Sequence, residues 1–383
     1  MMTSTSRKGV GLKALAIIFV VVTLLYVGIQ RVYKHIHFGD CHLVACTTAD
    51  ILSDAVQHIV FIKTHKTGSS TTSAIINRYG LNMNLSFVIN KNNWPSGNIN
   101  FMSLSEDSVQ TTFLPPRSKP SGGWKEYTYD ICAVHARYFR SAFESFMPPD
   151  TRYVTILREP VSQFESAFHF FMFGNVVTGN HARDVFNEFL RAPKFYREQL
   201  NRERWLLSRN SQLYDLGLDH CFHDNETIVT DHIKMLQETL DLVLIVEYYD
   251  ESLILLKKLM NWTFDDIVYI PQNERHCRLE IDLSMRVKIQ NWNSVDKRLY
   301  DTFNKTFWDK VRDYGPSFDE DLRLFREKKD DVMTKCVDEV TVQKNWRNEP
   351  IIVYKSTYDT ATCCRPFLMT YNEYEKCIWR EQY

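Results

Sequence analysis

The sequence predicts an α/β fold in which helices flank a mainly parallel sheet. Three observations lead there. Short apolar runs at Ile59–Ile62, Tyr153–Leu157 and Leu242–Glu247 have the length of buried strands. Each gives way to polar residues and then to a stretch with helical spacing, so strands and helices alternate. The tails of the strands also share one kind of chemistry: Lys63–Lys66 after the first, Arg158 after the second, and His135–Arg137 after a further strand over Tyr129–His135. In open parallel sheets ligands collect beyond the carboxyl ends of the strands, so these tails mark the expected site.

Taken in order, residues 1–13 form a short tail with Arg7, Lys8 and Lys13, and residues 14–30 an almost unbroken apolar run followed by Arg31 and Lys34. With its flanks the run approaches the roughly 20 residues that span a bilayer. No small-x-small cleavage site follows it, so it reads as one retained transmembrane signal anchor, with the short tail cytosolic and the remainder lumenal. Residues 31–55 are a stem, and residues 56–383 the globular domain. Sequons at Asn84, Asn225, Asn261 and Asn304, and nine cysteines all beyond the anchor, suit a lumen that permits glycans and disulfides. Nine is odd, so one cysteine is left over or pairs between chains, and the spacings match no zinc pattern. A net charge of −1 argues against a general nucleic-acid binder, so any anion site must be local.

The globular domain opens on His58–Thr72, HIVFIKTHKTGSSTT. A buried strand runs into a loop of lysines, a histidine and hydroxyl residues, then into a helix through Ala74, Ile75, Ile76 and Tyr79 that Gly80 can close. Such a turn aims backbone N–H groups and a positive helix end at one point, which makes a cradle for an anion. Residues 90–123, rich in Asn, Ser, Pro and Gly, read as an irregular excursion. Pro160 suits a first helical position, and Phe164, Ala167, Phe168 and Phe171 place the core face of a helix over Val161–Phe173. Helices are expected over Asn187–Tyr196, Asp231–Leu240, Glu251–Met260 and Tyr300–Val311, before a cysteine-rich end at Cys363–Cys377.

The cradle is not that of an ordinary nucleoside-triphosphatase. That motif needs an early glycine and a Gly-Lys-Ser/Thr ending, whereas Lys66 here precedes Gly68 by two residues. Phe61–Thr72 instead resembles the 5′-phosphosulfate loop of membrane-bound Golgi sulfotransferases, in the form typical of the galactose 3-O-sulfotransferases. A second signature of that family is matched by Ile156–Phe168 (ILREPVSQFESAF), and Asp215–Asp219, Leu242–Leu256 and Trp292–Trp308 are also similar. The resemblance implies a P-loop-like sulfotransferase fold, a Golgi type II membrane enzyme, and 3′-phosphoadenylyl sulfate (PAPS) as sulfonate donor with no metal. It implies transfer to the 3-hydroxyl of galactose on a galactose-terminated glycolipid, such as galactosylceramide, or on another glycan. Lys66, Thr67, Gly68, Ser69, Ser70 and Thr71 match the loop for the 5′-phosphosulfate, with Lys63 beside it, and Arg158 and Ser166 match the pair for the 3′-phosphate.

Sulfonate transfer needs a charge stabiliser and a base. Lys66 suits the first role, because the leaving oxygen gains negative charge. A histidine suits the second: His135 is favoured, on the expectation that it faces the acceptor, with His65 the alternative and Glu165 a third. Several neighbours read first as structure: His169, Trp292, Tyr300 and Trp308 as packing, Arg209 and Asn210 as local scaffold, and Glu247 as an internal partner. A homodimer is left open. The rival readings are a glycan-binding protein of the same fold without turnover, and a lumenal nucleotide-dependent kinase.

Overall fold

In a computed structural model the described residues are 54–91, 112–118, 123–178, 182–272, 274–345, 349–356 and 364–382. The expected tail, transmembrane anchor and most of the stem, and the bulk of the 90–123 excursion, lie outside them. Among the described residues no helix is long and apolar enough to cross a membrane. The chain divides at His42, and the fold described is that of the unit from Leu43 onward.

Strand β1 (Ile59–Ile62) leads into helix α1 (Ser69–Asn82), and β2 (Ile131–Cys132) follows the excursion. Next come β3 (Arg152–Leu157), α2 (Pro160–Phe170), the short α3 (Ser211–Asp215), β4 (Leu242–Ile245) and α4 (Tyr249–Met260). Strands β1 to β4 form a parallel sheet in the order β2-β1-β3-β4. All four residues of β1 are buried, as a strand covered on both faces requires, which is why it reads as a continuous apolar run rather than an alternation. Leaving β1 the chain crosses to β2 on one side, then returns to β3 on the other. The carboxyl ends of β1 and β3 therefore flank a topological switch point, where the loops diverge and leave a crevice. Two side chains lock the pair in register there: Thr155 Oγ1 donates to the Ile62 carbonyl at 2.8 Å, and Thr64 Oγ1 to that of Ile156 at 2.5 Å.

Helix α2 begins as its sequence requires. Pro160 occupies the first turn, and Glu159 caps the helix by accepting from the Ser162 amide at 3.0 Å. Phe164, Ala167, Phe168 and Phe171 are buried, against Phe173, Phe186 and Phe189. The helix stops at Phe170 and a 3₁₀ turn follows at Phe173–Val176.

Other expectations needed correction. The strand expected over Tyr129–His135 pairs only at Ile131 and Cys132, so His135 stands on an irregular segment beyond it. Gly80 does not end α1, which continues to Asn82; a Cβ there would lie 2.3 Å from Ile131 Cδ1 and 2.5 Å from Phe87 Cζ, so the glycine allows the helix to touch the sheet edge. The helix expected over Asn187–Tyr196 is two, Ala182–Arg191 and Pro193–Arg197, divided before Pro193.

Beyond the parallel sheet come β5 (Glu274–Arg275), α5 (Ser294–Tyr314), α6 (Phe318–Cys336), β6 (Glu339–Lys344), β7 (Pro350–Lys355) and α7 (Tyr371–Gln382). Strands β5 to β7 form a second, antiparallel sheet in the order β5-β7-β6. A disulfide joins Cys336 to Cys364, while the thiols of Cys132, Cys221 and Cys277 are unbridged. Helix α7 returns to the start of the fold: Gln382 accepts from the Phe87 amide at 2.8 Å and donates to its carbonyl at 2.7 Å.

Candidate active site

The loop between β1 and α1 is wound by its own hydroxyls. The Thr64 carbonyl accepts from Thr67 Oγ1 at 3.0 Å and from Ser69 Oγ at 2.7 Å, and both side chains are buried. Two left-handed residues, Lys66 (φ 61°) and Gly68 (φ 72°), complete the turn. Such geometry is easy for glycine and strained for lysine, so the backbone at Lys66 is held by its surroundings. Gly68 is the N-cap of α1 and offers no side chain to the first turn; the Thr71 amide donates to the Gly68 carbonyl at 3.0 Å, which leaves the Ser69 and Ser70 N–H groups for a ligand. Ser70 and Thr71 lie partly exposed at this mouth. The Lys66 ammonium rests 3.7 Å above the Phe170 ring at the end of α2.

Arg158, at the end of β3, reaches across the switch point and donates from Nη1 to the Lys66 carbonyl at 3.2 Å. Its backbone is gripped by Gln212 of α3, which accepts from the Arg158 amide and donates to its carbonyl, each at 2.9 Å. Burial lowers the Arg158 pKa from its ordinary value, and Arg278 presses the same way, against the pull of Glu247 and Glu165. A guanidinium crowded by other cations, with its donors near a helix N-terminus, is a ready partner for a phosphate. Ser166, nearly two turns into α2, is largely buried, and its hydroxyl makes no hydrogen bond among the described residues.

The two histidines come together. The rings of His65 and His135 stack with centroids 4.4 Å apart and planes 16° from parallel. His135 Nδ1 lies 3.1 Å from the Lys63 carbonyl, which can only accept; Nδ1 therefore carries the proton and Nε2 the lone pair. His135 is half-buried, and burial holds its pKa well below the usual 6.5, with Lys63, His65 and Lys66 opposing a further charge. His65 is tied to Asp215 of α3 twice: its amide donates to Oδ2 at 2.8 Å, and Nδ1 lies 2.9 and 3.0 Å from the two carboxylate oxygens. Its carbonyl accepts from Gln163 Nε2 at 2.9 Å.

Lys63 sits elsewhere. Its side chain is 2% exposed, and its ammonium lies 3.1 Å from the centroid of the Tyr371 ring in α7. Burial pushes its pKa down to about 7, with Glu375 of α7 pulling the other way. Glu375 is itself pushed up to about 7 by burial. Of the remaining candidates, Glu165 is buried against Arg275 and accepts from the Leu279 amide at 3.2 Å, and His169 lies 3.5 Å from the same carboxylate. Arg209 binds Asp224 at 2.7 Å and the Trp292 carbonyl at 3.3 Å. Glu247 accepts from the Glu159 amide and the Tyr300 hydroxyl at 3.0 and 3.1 Å.

Reading the sequence alone overlooked Asp215, Gln212, Gln163 and Arg278. The DLGLD stretch that contains Asp215 was visible, but its partner lies 150 residues away, a distance no local pattern reports. Gln163 stands inside the matched ILREPVSQFESAF stretch and was a findable residue.

A family model described as galactose-3-O-sulfotransferase matches residues 1–352. The chain is 31% identical over 284 residues to bovine (Bos taurus) galactose-3-O-sulfotransferase 3, covering 73% of this chain and 63% of that protein. It is 33% identical over 290 residues to human galactosylceramide sulfotransferase, covering 74% and 64%. It is 30% identical over 295 residues to human galactose-3-O-sulfotransferase 2, covering 76% and 70%. The match thus spans a little under two thirds of the length of the first two relatives.

Proposed function

The chain belongs to the galactose-3-O-sulfotransferase family, and on that premise we propose that it transfers a sulfonate group from PAPS to the 3-hydroxyl of a galactose residue on a glycolipid or glycan. One observation carries the reading. At a single switch point the wound loop Lys66–Thr71 and the Arg158 guanidinium converge from the donor's side, beside a stacked pair of histidines. A donor with two separated anionic groups and an acceptor with a proton to lose need that combination.

In this reading the loop amides with Ser70 and Thr71 cradle the 5′-phosphosulfate, and Arg158 with Ser166 takes the 3′-phosphate, with Arg278 adding positive potential. The galactose oxygen attacks sulfur as the bond from sulfur to the bridging phosphate oxygen breaks. The hydroxyl proton passes to a histidine Nε2, and Lys66 stabilises charge on the departing phosphate. The Phe170 ring beneath the Lys66 ammonium helps to hold it at the loop.

We place the enzyme in the Golgi membrane as a single-pass type II protein, a reading supported by the apolar run at 14–30 and the sequons beyond it. The test is an acceptor panel of galactosylceramide, lactosylceramide and N-acetyllactosamine with labelled PAPS. Label at the galactose 3-hydroxyl of at least one acceptor is expected. Phosphate transfer from ATP in place of sulfonate transfer would overturn the reading. So would binding of adenosine 3′,5′-bisphosphate with no turnover on any galactoside.

A further inference from the structure

The geometry points to Asp215 as the positioning residue that makes His65, rather than His135, the group receiving the acceptor's proton. The inference rests on the sulfotransferase reading and deepens it. Both imidazoles place the proton on Nδ1 and the lone pair on Nε2, so the tautomer does not separate them. What each nitrogen faces does. His135 Nδ1 meets a neutral carbonyl, whereas His65 Nδ1 meets a carboxylate buried to 3% exposure.

When a base takes a proton its ring becomes an imidazolium. A carboxylate at 2.9 Å stabilises that charge and keeps the ring oriented, and a carbonyl does so far less. Of the charged groups around the pair, the carboxylate of Asp215 faces His65. His65 faces Asp215 from α3 and His135 from the segment after β2, with Lys63 and Lys66 on its own segment. The two lysines and the neighbouring imidazole all oppose charge on His135. At 4.4 Å the stacked rings do not share two charges readily, so the carboxylate decides which ring holds the proton.

Asp215 is well placed to act through His65 because α3 is itself fixed to the donor's grip. Its first turn donates from the Gln212 and Leu213 amides to buried Asp296 at 3.1 and 2.9 Å. Ser211 accepts from Gln163, whose same nitrogen donates to the His65 carbonyl. Gln212 holds the backbone of Arg158. One five-residue helix thus indexes the proton acceptor to the arginine that grips the donor.

The experiment uses the full chain with Asp215→Asn, Asp215→Glu and His135→Asn, comparing acceptor-dependent rates across pH with affinity for adenosine 3′,5′-bisphosphate. Asn can keep the bond to the His65 amide but presents an N–H₂ to Nδ1, which moves the ring proton to Nε2. D215N should lower kcat by about a hundredfold or more, keep bisphosphate affinity within about threefold, and shift the ascending pH limb to lower pH. D215E should recover part of the rate. Nitrogen-15 imidazole spectra of the unsubstituted chain should show His65 protonated on Nδ1. The proposal is overturned by D215N with kcat within about fivefold of the parent, by equal loss of rate and bisphosphate affinity, by removal of the pH limb in H135N alone, or by His65 protonated on Nε2. Should D215N not fold, D215E and the spectra decide. An unsubstituted chain that transfers no sulfonate removes the functional reading instead, and the spectra still settle the role of Asp215.

Discussion

Replacing Lys63 with methionine should stabilise the protein near neutrality. The residue is 2% exposed, and burial lowers its pKa to about 7 against an ordinary 10.5. At about 1.36 kcal/mol per tenfold change in proton affinity, that gap represents about 5 kcal/mol against folding when the amine is charged in the unfolded chain. The contact with the Tyr371 ring offsets about 2 kcal/mol of it, the value of a desolvated cation over an aromatic face. Methionine keeps the length and flexibility of the stem, so the net gain should be about 2–3 kcal/mol at pH 6. The sign of the pH dependence follows from the lowered folded-state pKa. Between about 7 and 10.5 the unfolded chain binds the proton and the native state does not, so the parent gains stability as pH rises. The advantage of K63M should therefore shrink toward zero by pH 10. Urea unfolding of both proteins at pH 6 and pH 10 measures it. A variant no more stable than the parent at pH 6, or one whose gain persists at pH 10, refutes the reasoning.

Arg158→Ala should weaken adenosine 3′,5′-bisphosphate binding by about 2–3 kcal/mol, the worth of a charge-assisted bond to a phosphate; calorimetry showing less than a threefold loss would detach Arg158 from the donor. Gly80→Ala should destabilise by about 1–3 kcal/mol, because overpacking against Ile131 and Phe87 outweighs the better helix propensity; a thermal midpoint equal to the parent's would contradict the packing. Cys336→Ser with Cys364→Ser should cost about 3–4 kcal/mol, as expected for opening a 28-residue separation, read as an earlier urea midpoint that is insensitive to reductant.

What the sequence revealed was local or periodic. The β1 loop, the Pro160 start of α2 and the phenylalanine stripe each follow from neighbours within one or two turns, and their chemistry was legible for that reason. Asp215 was not legible, because its significance lies in His65 on another element. Gly80 misled because a glycine late in a helix serves as a cap as often as a close approach, and only the positions of Ile131 and Phe87 choose between them. The sheet of β5 to β7 escaped because Val340 and Val342 face solvent, so β6 lacks the buried-face signal of a strand.

Helix α7 packs against α1, with Tyr371 under Lys63 and Gln382 on the backbone of Phe87. The residues joined at Phe87 and Gln382 are 295 positions apart. The loop after β1 therefore rests on a platform supplied by residues some three hundred positions further along the chain, a closure of long sequence separation. A nascent chain stopped before Tyr371 therefore exposes Lys63 on an unfinished floor.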